Sequence, residues 1–357
     1  MYMRILLINA PTSFVRELSS RDHDLLIAER EVAHLEAQLR NPRCQFLQLK
    51  GRKKIDITAT RSLRRAILQF RPELIHAFLP SSLAQALIAC IGLRVRPKII
   101  SFRGITRAPK KFDPSDWITY LSPNVSLHAC ESEAVKQAMM QGGIPERKCV
   151  VIYNCLPETK FISNRDELRY QFGIPVDAFV VGSAACMRPI KGFDILLKAA
   201  AELATLPNIS FLLLGELKDA KAAQLAKDSR LSQCLKLAGY VDDAHRMMGV
   251  FDVFVMPSRR EGLCRALLEA MDQSVCPVVS DAGGMKEMVR HGQDGLVFPT
   301  ENSAALRDSL VRLFDNRDLI DRFGKSAQNR VHEICSPASF TNRLEDIYLQ
   351  LCGQSQS

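Results

Sequence analysis

Nowhere in this chain of 357 residues is there an apolar run long enough to cross a bilayer. The longest, Leu83 to Leu93, is interrupted by Gln85 and falls well short of the roughly 20 residues that a spanning helix requires. Near the start, Ile5 to Ile8 is too brief for a signal-peptide core, and no small-residue cleavage site follows it. The chain is therefore expected to be neither membrane-spanning nor secreted. It has no C-x-x-C pair and no metal-type cysteine spacing, so its 11 scattered cysteines read as reduced, mostly buried thiols of a cytosolic protein. No G-x-x-x-x-G-K-[ST] run is present, and no G-x-G-x-x-G follows the first apolar segment. No internal repeat and no low-complexity tract is visible beyond the polar tail Gly353–Ser357. Hydrophobic residues at 47% and charged residues at 24% describe an ordinary globular chain, long enough for two domains.

Charge is spread unevenly. Residues 1–150 hold 24 Lys/Arg against 13 Asp/Glu, a balance of +11, while residues 151–357 hold 24 against 26, a balance of −2. Lys50, Arg52, Lys53, Lys54, Arg61, Arg64, Arg65 and Arg71 crowd one short stretch. Leu63, Ile67, Leu68 and Phe70 are interleaved with them, the pattern of a basic amphipathic helix. Such a face attracts anionic lipid headgroups or a phosphorylated substrate, although a solvated helix packed on a sheet has the same pattern. Nucleic acid is not expected, because the patch lacks interleaved aromatics and no nucleic-acid motif accompanies it.

Short apolar runs alternate with helical patterns along the whole chain. Candidate strands are Arg4–Asn9, Cys44–Leu49, Leu74–Phe78, Lys98–Phe102, Ser126–Cys130 and Val150–Tyr153. A helix is expected over Asp24–Arg40, where Leu25, Ala28, Val32, Leu35 and Leu39 recur at helical spacing. A second series comprises Phe179–Ala184, Ile209–Leu214, Leu235–Ala238, Val253–Met256, Pro277–Ser280 and Leu296–Phe298. Alternation of this kind implies parallel sheets with helices on both faces. Two series imply two doubly wound α/β domains, with a hinge expected near Leu156–Phe161. Pro337–Leu351 reads as a closing helix with Phe340, Leu344, Ile347 and Leu351 on one face. The one D-x-D triplet, Asp22-His23-Asp24, precedes the expected helix and reads as its cap, so no metal site is assigned.

In open parallel sheets, ligands bind beyond the carboxyl ends of the strands. Three such loops in the second half carry suggestive residues. Arg188-Pro189-Ile190-Lys191-Gly192 sets two cations beside a helix N-terminus, an arrangement that suits a diphosphate, although two surface cations in a loop look the same. Glu261 and Glu269 flank a helix start, where they could accept sugar hydroxyls at opposite ends of one ligand. The plainer alternative makes Glu261 a helix-end acid and leaves Glu269 exposed. Gly283-Gly284 opens a third helix and permits backbone N–H groups to approach an anion.

The stretch Glu261-Gly262-Leu263-Cys264-Arg265-Ala266-Leu267-Leu268-Glu269 resembles the E-x7-E signature of family 4 glycosyltransferases, retaining enzymes of the GT-B fold. Arg188 to Gly192, Gly239-Tyr240-Val241, Asp252 to Ser258, Gly283 to Val289 and Gly295 to Pro299 are similar to that family in the same order. So is the crossover segment Cys149 to Asn154. The resemblance implies two Rossmann-like domains, 1–156 for the acceptor and 157–336 for the nucleotide sugar, with a cleft between them. It also implies that a helix over 337–357 returns to the first domain. It assigns catalytic work to Glu261, Arg188 and Lys191, the last two gripping the donor diphosphate. Glu269 would hold the ribose, Gly262, Leu263 and Cys264 would line the sugar and phosphate, and Gly239, Tyr240 and Val241 would border the base. Arg103 is a candidate on the acceptor side. His76, ending an expected strand, could also line the cleft there, although a core histidine satisfied by hydrogen bonds is the plainer reading. Two departures stand out: Ala10-Pro11-Thr12-Ser13 replaces a glycine-rich first loop, and Ser101-Phe102-Arg103-Gly104 lacks the family's pocket histidine.

The implied activity is transfer of a sugar from a nucleoside-diphosphate sugar to a glycan or glycolipid acceptor of the lipopolysaccharide type. The nucleotide sugar is a co-substrate, and neither a cofactor nor a metal is called for. The implied location is cytoplasmic, peripheral at the inner face of the cytoplasmic membrane. Two alternatives share the fold class: a nucleotide-sugar epimerase, which needs no acceptor, and a non-catalytic nucleotide-sugar-binding protein.

Overall fold

The computed structural model describes residues 2–49, 56–156 and 164–353. The strands are runs of three to six residues, mostly apolar, and five of the thirteen among the described residues lie buried from end to end, as strands covered on both faces must. In the first half they are β1 (Arg4–Ile8), β2 (Asp24–Glu29), β3 (Cys44–Gln48), β4 (Leu74–Ala77), β5 (Lys98–Arg103), β6 (Leu127–Cys130) and β7 (Cys149–Val151). They form one parallel sheet in the order β3-β2-β1-β4-β5-β6-β7. Its helices are α1 (Thr12–Ser19), α2 (Ala33–Gln38), α3 (Ile57–Phe70), α4 (Pro80–Ala89), α5 (Pro114–Trp117) and α6 (Glu133–Gln141).

The second half repeats the plan. Its strands are β8 (Phe179–Ala184), β9 (Ile209–Leu214), β10 (Leu235–Gly239), β11 (Val253–Met256), β12 (Cys276–Ser280) and β13 (Leu296–Phe298). They pair in parallel in the order β10-β9-β8-β11-β12-β13. The helices are α7 (Arg165–Gln171), α8 (Phe193–Leu203), α9 (Ala220–Leu225), α10 (Arg265–Asp272), α11 (Met285–Met288), α12 (Ser303–Asp315), α13 (Asp318–Cys335) and α14 (Pro337–Gly353). Contacts divide the chain into two units, Met1–Pro157 with Cys335–Ser357, and Glu158–Ile334. In each, the order of strands reverses beside the first strand, at β1/β4 and at β8/β11, the topological switch of a doubly wound fold.

The closing helix is part of the first unit's core. Phe340, Leu344 and Tyr348 of α14 pack with Phe14 of α1 and with Ile5 and Leu7 on one face of the sheet. The rings of Phe14 and Phe340 meet edge to face at 5.3 Å between centroids. The other face is covered by Leu63 and Ile67 of α3, Leu83 of α4, and Val135 and Met139 of α6. The buried stripe of α14 runs through Phe340, Leu344, Tyr348 and Cys352, whereas Ile347 and Leu351 lie at its margin.

Asp24–Arg40 is not one helix. Leu25 to Ala28 form the core of β2 between β1 and β3, and only Ala33–Gln38 is helical. A strand buried on both faces is apolar without alternation, so its residues satisfied a helical spacing by coincidence. Asp24 therefore opens a strand instead of capping a helix, and Asp22 pairs with Arg43. Lys50, Arg52, Lys53 and Lys54, and most of the expected hinge, lie outside the described residues. The rest of the basic stretch is α3, which buries Ala59, Leu63, Ile67 and Phe70 and exposes Arg61, Arg65 and Leu68. Among the described residues no helix is long and apolar enough to cross a membrane.

Two buried histidines give the first unit an acid limit. His76 in β4 and His128 in β6 are each held down to about 3, chiefly because burial disfavours the imidazolium. Both take up protons readily in the unfolded chain below about pH 6.5. Stability is therefore complete above that value and is lost as pH falls towards 3, by up to about 1.4 kcal/mol per pH unit for each ring. Urea titrations at neutral and mildly acid pH should show this loss, and His128→Gln should remove about half of it. A midpoint independent of pH across that window would contradict the assignment.

Candidate functional site

Three adjacent strands, β8, β11 and β12, deliver the three suspected loops to one edge of the second sheet. After β8 the chain is pinned at Met187, whose N–H donates to Glu216 O at 2.9 Å. It then turns through the 3₁₀ turn Pro189–Lys191 into α8. Gly192 makes this turn at φ +68°, and a Cβ there would lie 2.1 Å from the carbonyl oxygen of Pro257. Only glycine meets both demands. The first loop is thereby pressed against the second, and Arg259 N–H donates to Ile190 O at 2.8 Å.

Glu261 stands where all three loops meet. Its Oε2 lies 2.5 Å from Lys191 Nζ of the first loop and accepts from Ser258 Oγ at 3.2 Å. Its backbone is touched by the third loop: Gly283 runs at φ +58°, with the position of a Cβ only 1.7 Å from Glu261 O. Gly284 N–H donates to Gly262 O at 2.9 Å. Ser258 is fully buried, and its carbonyl accepts from Ser280 Oγ at 2.6 Å. Lys191 and Glu261 are 18% and 16% exposed, so their pair sits in a partly dehydrated setting where charge interactions strengthen. Burial alone would lower the Lys191 ammonium, and the Cys264 sulfur and Glu261 carboxylate beside it reverse that, so it is held above the ordinary lysine range.

Cys264, at the start of α10, reports how close the group is. Burial first, then the Glu261 carboxylate, pushes its thiol up to about 12, and Lys191 and Glu269 also act on it. Glu269, one helical turn further along α10, is 14% exposed rather than solvated. Burial raises its carboxyl above the usual range, and Arg265 at 4.0 Å only partly offsets this. Gly262, Leu263 and Cys264 are all buried against the sheet edge. Neither α8 nor α10 has a Ser, Thr, Asp or Asn cap at its N-terminus; Ile195 N–H donates to Gly192 O and Leu267 N–H to the Cys264 sulfur, and the first N–H groups of both helices have no carbonyl of their own helix to meet at this edge. Two such termini beside an ammonium have the chemistry to receive an anion, and a carboxylate next to them can accept hydroxyls.

Arg188 lies at the start of the same turn with its side chain exposed, and among the described residues no ion pair engages it. Gly239 ends β10, the edge strand, and Tyr240 and Val241 follow it at the same sheet edge, where Gly215 N–H donates to Gly239 O at 2.6 Å. The Tyr240 ring is 74% exposed there. The sequence motifs thus gather Lys191, Glu261, Glu269, Cys264, Gly283 and Gly284, with the Gly239 to Val241 turn two strands from β8.

The two acceptor-side candidates are both buried, and His76 follows its plainer reading. His76 is fully buried, its Nδ1 lies 2.6 Å from Tyr348 Oη, and its ring stacks on Phe78. It is a core residue, because β4 is central in the sheet and α14 covers it. Arg103 is 3% exposed, stacks over Tyr120 and donates to Arg107 O at 2.8 Å. The chain that follows β5 folds back over it, so both side chains lie inside the first unit.

Arg259 carries a role that residue type alone does not signal. Its guanidinium pairs with Asp194 at 2.9 Å and with Glu301, binding the second loop to the head of α8. Asp194 also receives Lys221 at 2.6 Å. Burial pushes the Asp194 carboxyl up, and hydrogen bonds from Arg259 and Lys221 overcome this, leaving it at about 2. Arg259 is thus a positioning residue, while its neighbour Arg260 is exposed.

Residues 164–330 match the family model described as glycosyl transferases group 1, and residues 12–159 match the glycosyltransferase family 4 model. The chain is 22% identical over 206 residues to an N-acetyl-alpha-D-glucosaminyl L-malate synthase of Bacillus anthracis, covering 57% of this chain and 54% of that one. It is 29% identical over 184 residues to a lipopolysaccharide core biosynthesis glycosyltransferase of Rhizobium meliloti, covering 51% and 52%. The match spans about half the length of these curated relatives. Among solved structures, Anabaena Alr3699/HepE in complex with UDP-glucose superposes with a TM-score of 0.76 at 20% identity, over 98% of this chain and 100% of that one. The fold is therefore GT-B.

Proposed function

Since the chain belongs to the family 4 glycosyltransferases, we propose that it moves a sugar, with retention, from a nucleoside-diphosphate sugar to a cell-envelope glycan or glycolipid of the lipopolysaccharide type. The observation that carries this reading is the Lys191–Glu261 pair set between two helix N-termini. In the transition state of glycosyl transfer, positive charge grows on the sugar ring and negative charge on the departing diphosphate. Lys191, Arg188 and the N–H groups opening α8 and α10 would receive the diphosphate. Lys191 and the backbone N–H groups are held in place before reaction, which is where electrostatic stabilisation is most effective. Glu261 would exchange its contact with Lys191 for sugar hydroxyls, so each member of the pair holds the other's place until donor arrives. Glu269 would take the ribose, and Gly239, Tyr240 and Val241 the base. This scheme assigns the leaving-group charge to side chains and backbone, with no cofactor.

The related core glycosyltransferase supports an envelope acceptor, and the neighbour solved with UDP-glucose makes a uridine diphosphate sugar the first donor to try. The exposed arginines of α3 would favour work at the anionic inner face of the cytoplasmic membrane. The reading excludes an epimerase, which would consume donor without acceptor.

Binding is testable by thermal shift and calorimetry against UDP and a panel of nucleotide sugars. A ligand that binds only the folded chain raises its unfolding temperature by mass action. Lys191→Ala should weaken free UDP by about 10- to 100-fold, the loss of a charge-assisted contact. Unchanged affinity would place the phosphate elsewhere. Nucleoside diphosphate should be released only when a glycan or glycolipid acceptor is added. Release triggered instead by a small hydroxy acid such as L-malate would replace the acceptor assignment.

A further inference from the structure

Outside the loops at the second sheet's edge, the most unusual surface lies in the first unit. Between β5 and β6 the chain exposes four large apolar side chains within 14 residues: Ile105 at 52%, Phe112 at 100%, Trp117 at 53% and Ile118 at 42%. Scattered single apolar residues are normal on a soluble surface, whereas a cluster ending in a wholly exposed phenylalanine is not. The segment is anchored, because a Cβ on Gly142 would meet Pro109 at 2.4 Å.

Two concave surfaces of about 340 and 450 Å³ adjoin this cluster and share Lys111 and Gly142. The first is lined by Lys111, Arg147 and Lys148 with Trp117 and Tyr120, and no carboxylate lines it. The second adds Lys110 and Phe112 together with one carboxylate, Asp113. Nearby acids are already engaged. Asp113 accepts from Ser115 N–H at the head of α5 and faces Arg107, Asp116 takes Arg107 at 2.9 Å and the Lys110 N–H at 2.8 Å, and Glu146 pairs with Lys136. Among the described residues none of Lys110, Lys111, Arg147 or Lys148 has a carboxylate within ion-pair distance. Lys148 donates to the carbonyls of Pro123 and Val125, leaving one N–H of its ammonium for another acceptor.

We propose that this face docks on an anionic phospholipid leaflet, with Phe112, Trp117, Ile118 and Ile105 entering the acyl boundary and Lys110, Lys111, Arg147 and Lys148 receiving the headgroup phosphates. Apolar tips ringed by cations suit an interface that is hydrocarbon on one side and negative on the other. The Trp117 indole N–H donates to Lys111 O, so the ring can leave water without orphaning its donor. A protein partner would demand acidic groups opposite four cations, whereas a leaflet supplies phosphates everywhere. This surface is separate from α3 and stands independently of the transfer reaction.

The chain contains a single tryptophan, and it lies in this face, so its fluorescence reads docking directly. Vesicles of phosphatidylglycerol and phosphatidylcholine should shift its emission to shorter wavelength and shield it from acrylamide, and lipids brominated high on the acyl chain should quench it. Pure phosphatidylcholine should do so far more weakly. Phe112→Ser, at a wholly exposed position, should lower vesicle affinity by about tenfold or more. Lys111→Gln with Arg147→Gln should lower it by about fivefold per charge for anionic vesicles alone. Arg61→Gln with Arg65→Gln on α3 should leave the shift at saturating lipid unchanged. The proposal is overturned if the tryptophan spectrum ignores anionic vesicles, if neutral vesicles act equally well, or if only the α3 variants abolish the shift. Thermal stabilisation by soluble glycerol phosphate without vesicle binding would equally overturn it, marking a soluble anion site.

Discussion

Glu261→Gln is expected to cut sugar transfer by about 100- to 1,000-fold, the loss that follows removal of one preorganised electrostatic group from an active site. Glutamine keeps the size of the side chain and can still accept from Ser258 Oγ and Lys191 Nζ, so the loops should stay in place. The half-buried ion pair is lost, at a stability cost on the order of 1 kcal/mol. The informative part is the split between binding and turnover. Lys191 would lose its counter-charge in a partly dehydrated setting and become a better host for phosphate. Free nucleoside diphosphate should therefore bind the variant at least as tightly as the parent while turnover collapses. A purely structural role for Glu261 would weaken both together. Parent-like turnover would remove the residue from the chemistry altogether.

Gly192→Ala and Gly239→Ala form a matched pair with opposite expected outcomes. The two glycines share nearly the same backbone, φ +68° and φ +67°, so each alanine carries the same left-handed penalty of about 1–2 kcal/mol. Their surroundings differ. A Cβ at Gly239 meets nothing within 4 Å, whereas at Gly192 it would lie 2.1 Å from Pro257 O. That contact is backbone on backbone, so no rotamer change relieves it, and overpacking adds about 1–3 kcal/mol. The Gly192 variant should thus lose about 2–5 kcal/mol, against about 1–2 for Gly239. Because relief of the clash must part the first loop from the second, Gly192→Ala should also abolish nucleotide binding. Equal unfolding midpoints for the two variants would contradict the close approach of these loops.

Much of the architecture is legible locally. Phe179–Ala184, Ile209–Leu214 and Val253–Met256 are strands with the limits their apolar runs suggest, because a strand covered on both faces must be apolar throughout. The same rule misleads at Leu25–Ala28, where a buried strand imitates a helical spacing. The candidate loops were legible for another reason: in a parallel sheet every strand points the same way, so residues following the strands collect at one edge whatever their separation in sequence. The depth of the acceptor-side candidates was not legible, because burial is not a local property. His76 is sealed by Tyr348, 272 positions away.

The order of residues by itself determined that there are two doubly wound sheets, which loops carry cations, carboxylates and glycines, and the likeness to a glycosyltransferase family. Only the tertiary structure decided that Lys191 and Glu261 form a pair across 70 positions, that Arg259 is committed to Asp194 and Glu301, that Glu269 is withdrawn from water, and that Phe112 is not. The physical reason is range. Propensity and periodicity act over a few residues, whereas ion pairing and burial depend on which distant segments the sheet order brings side by side.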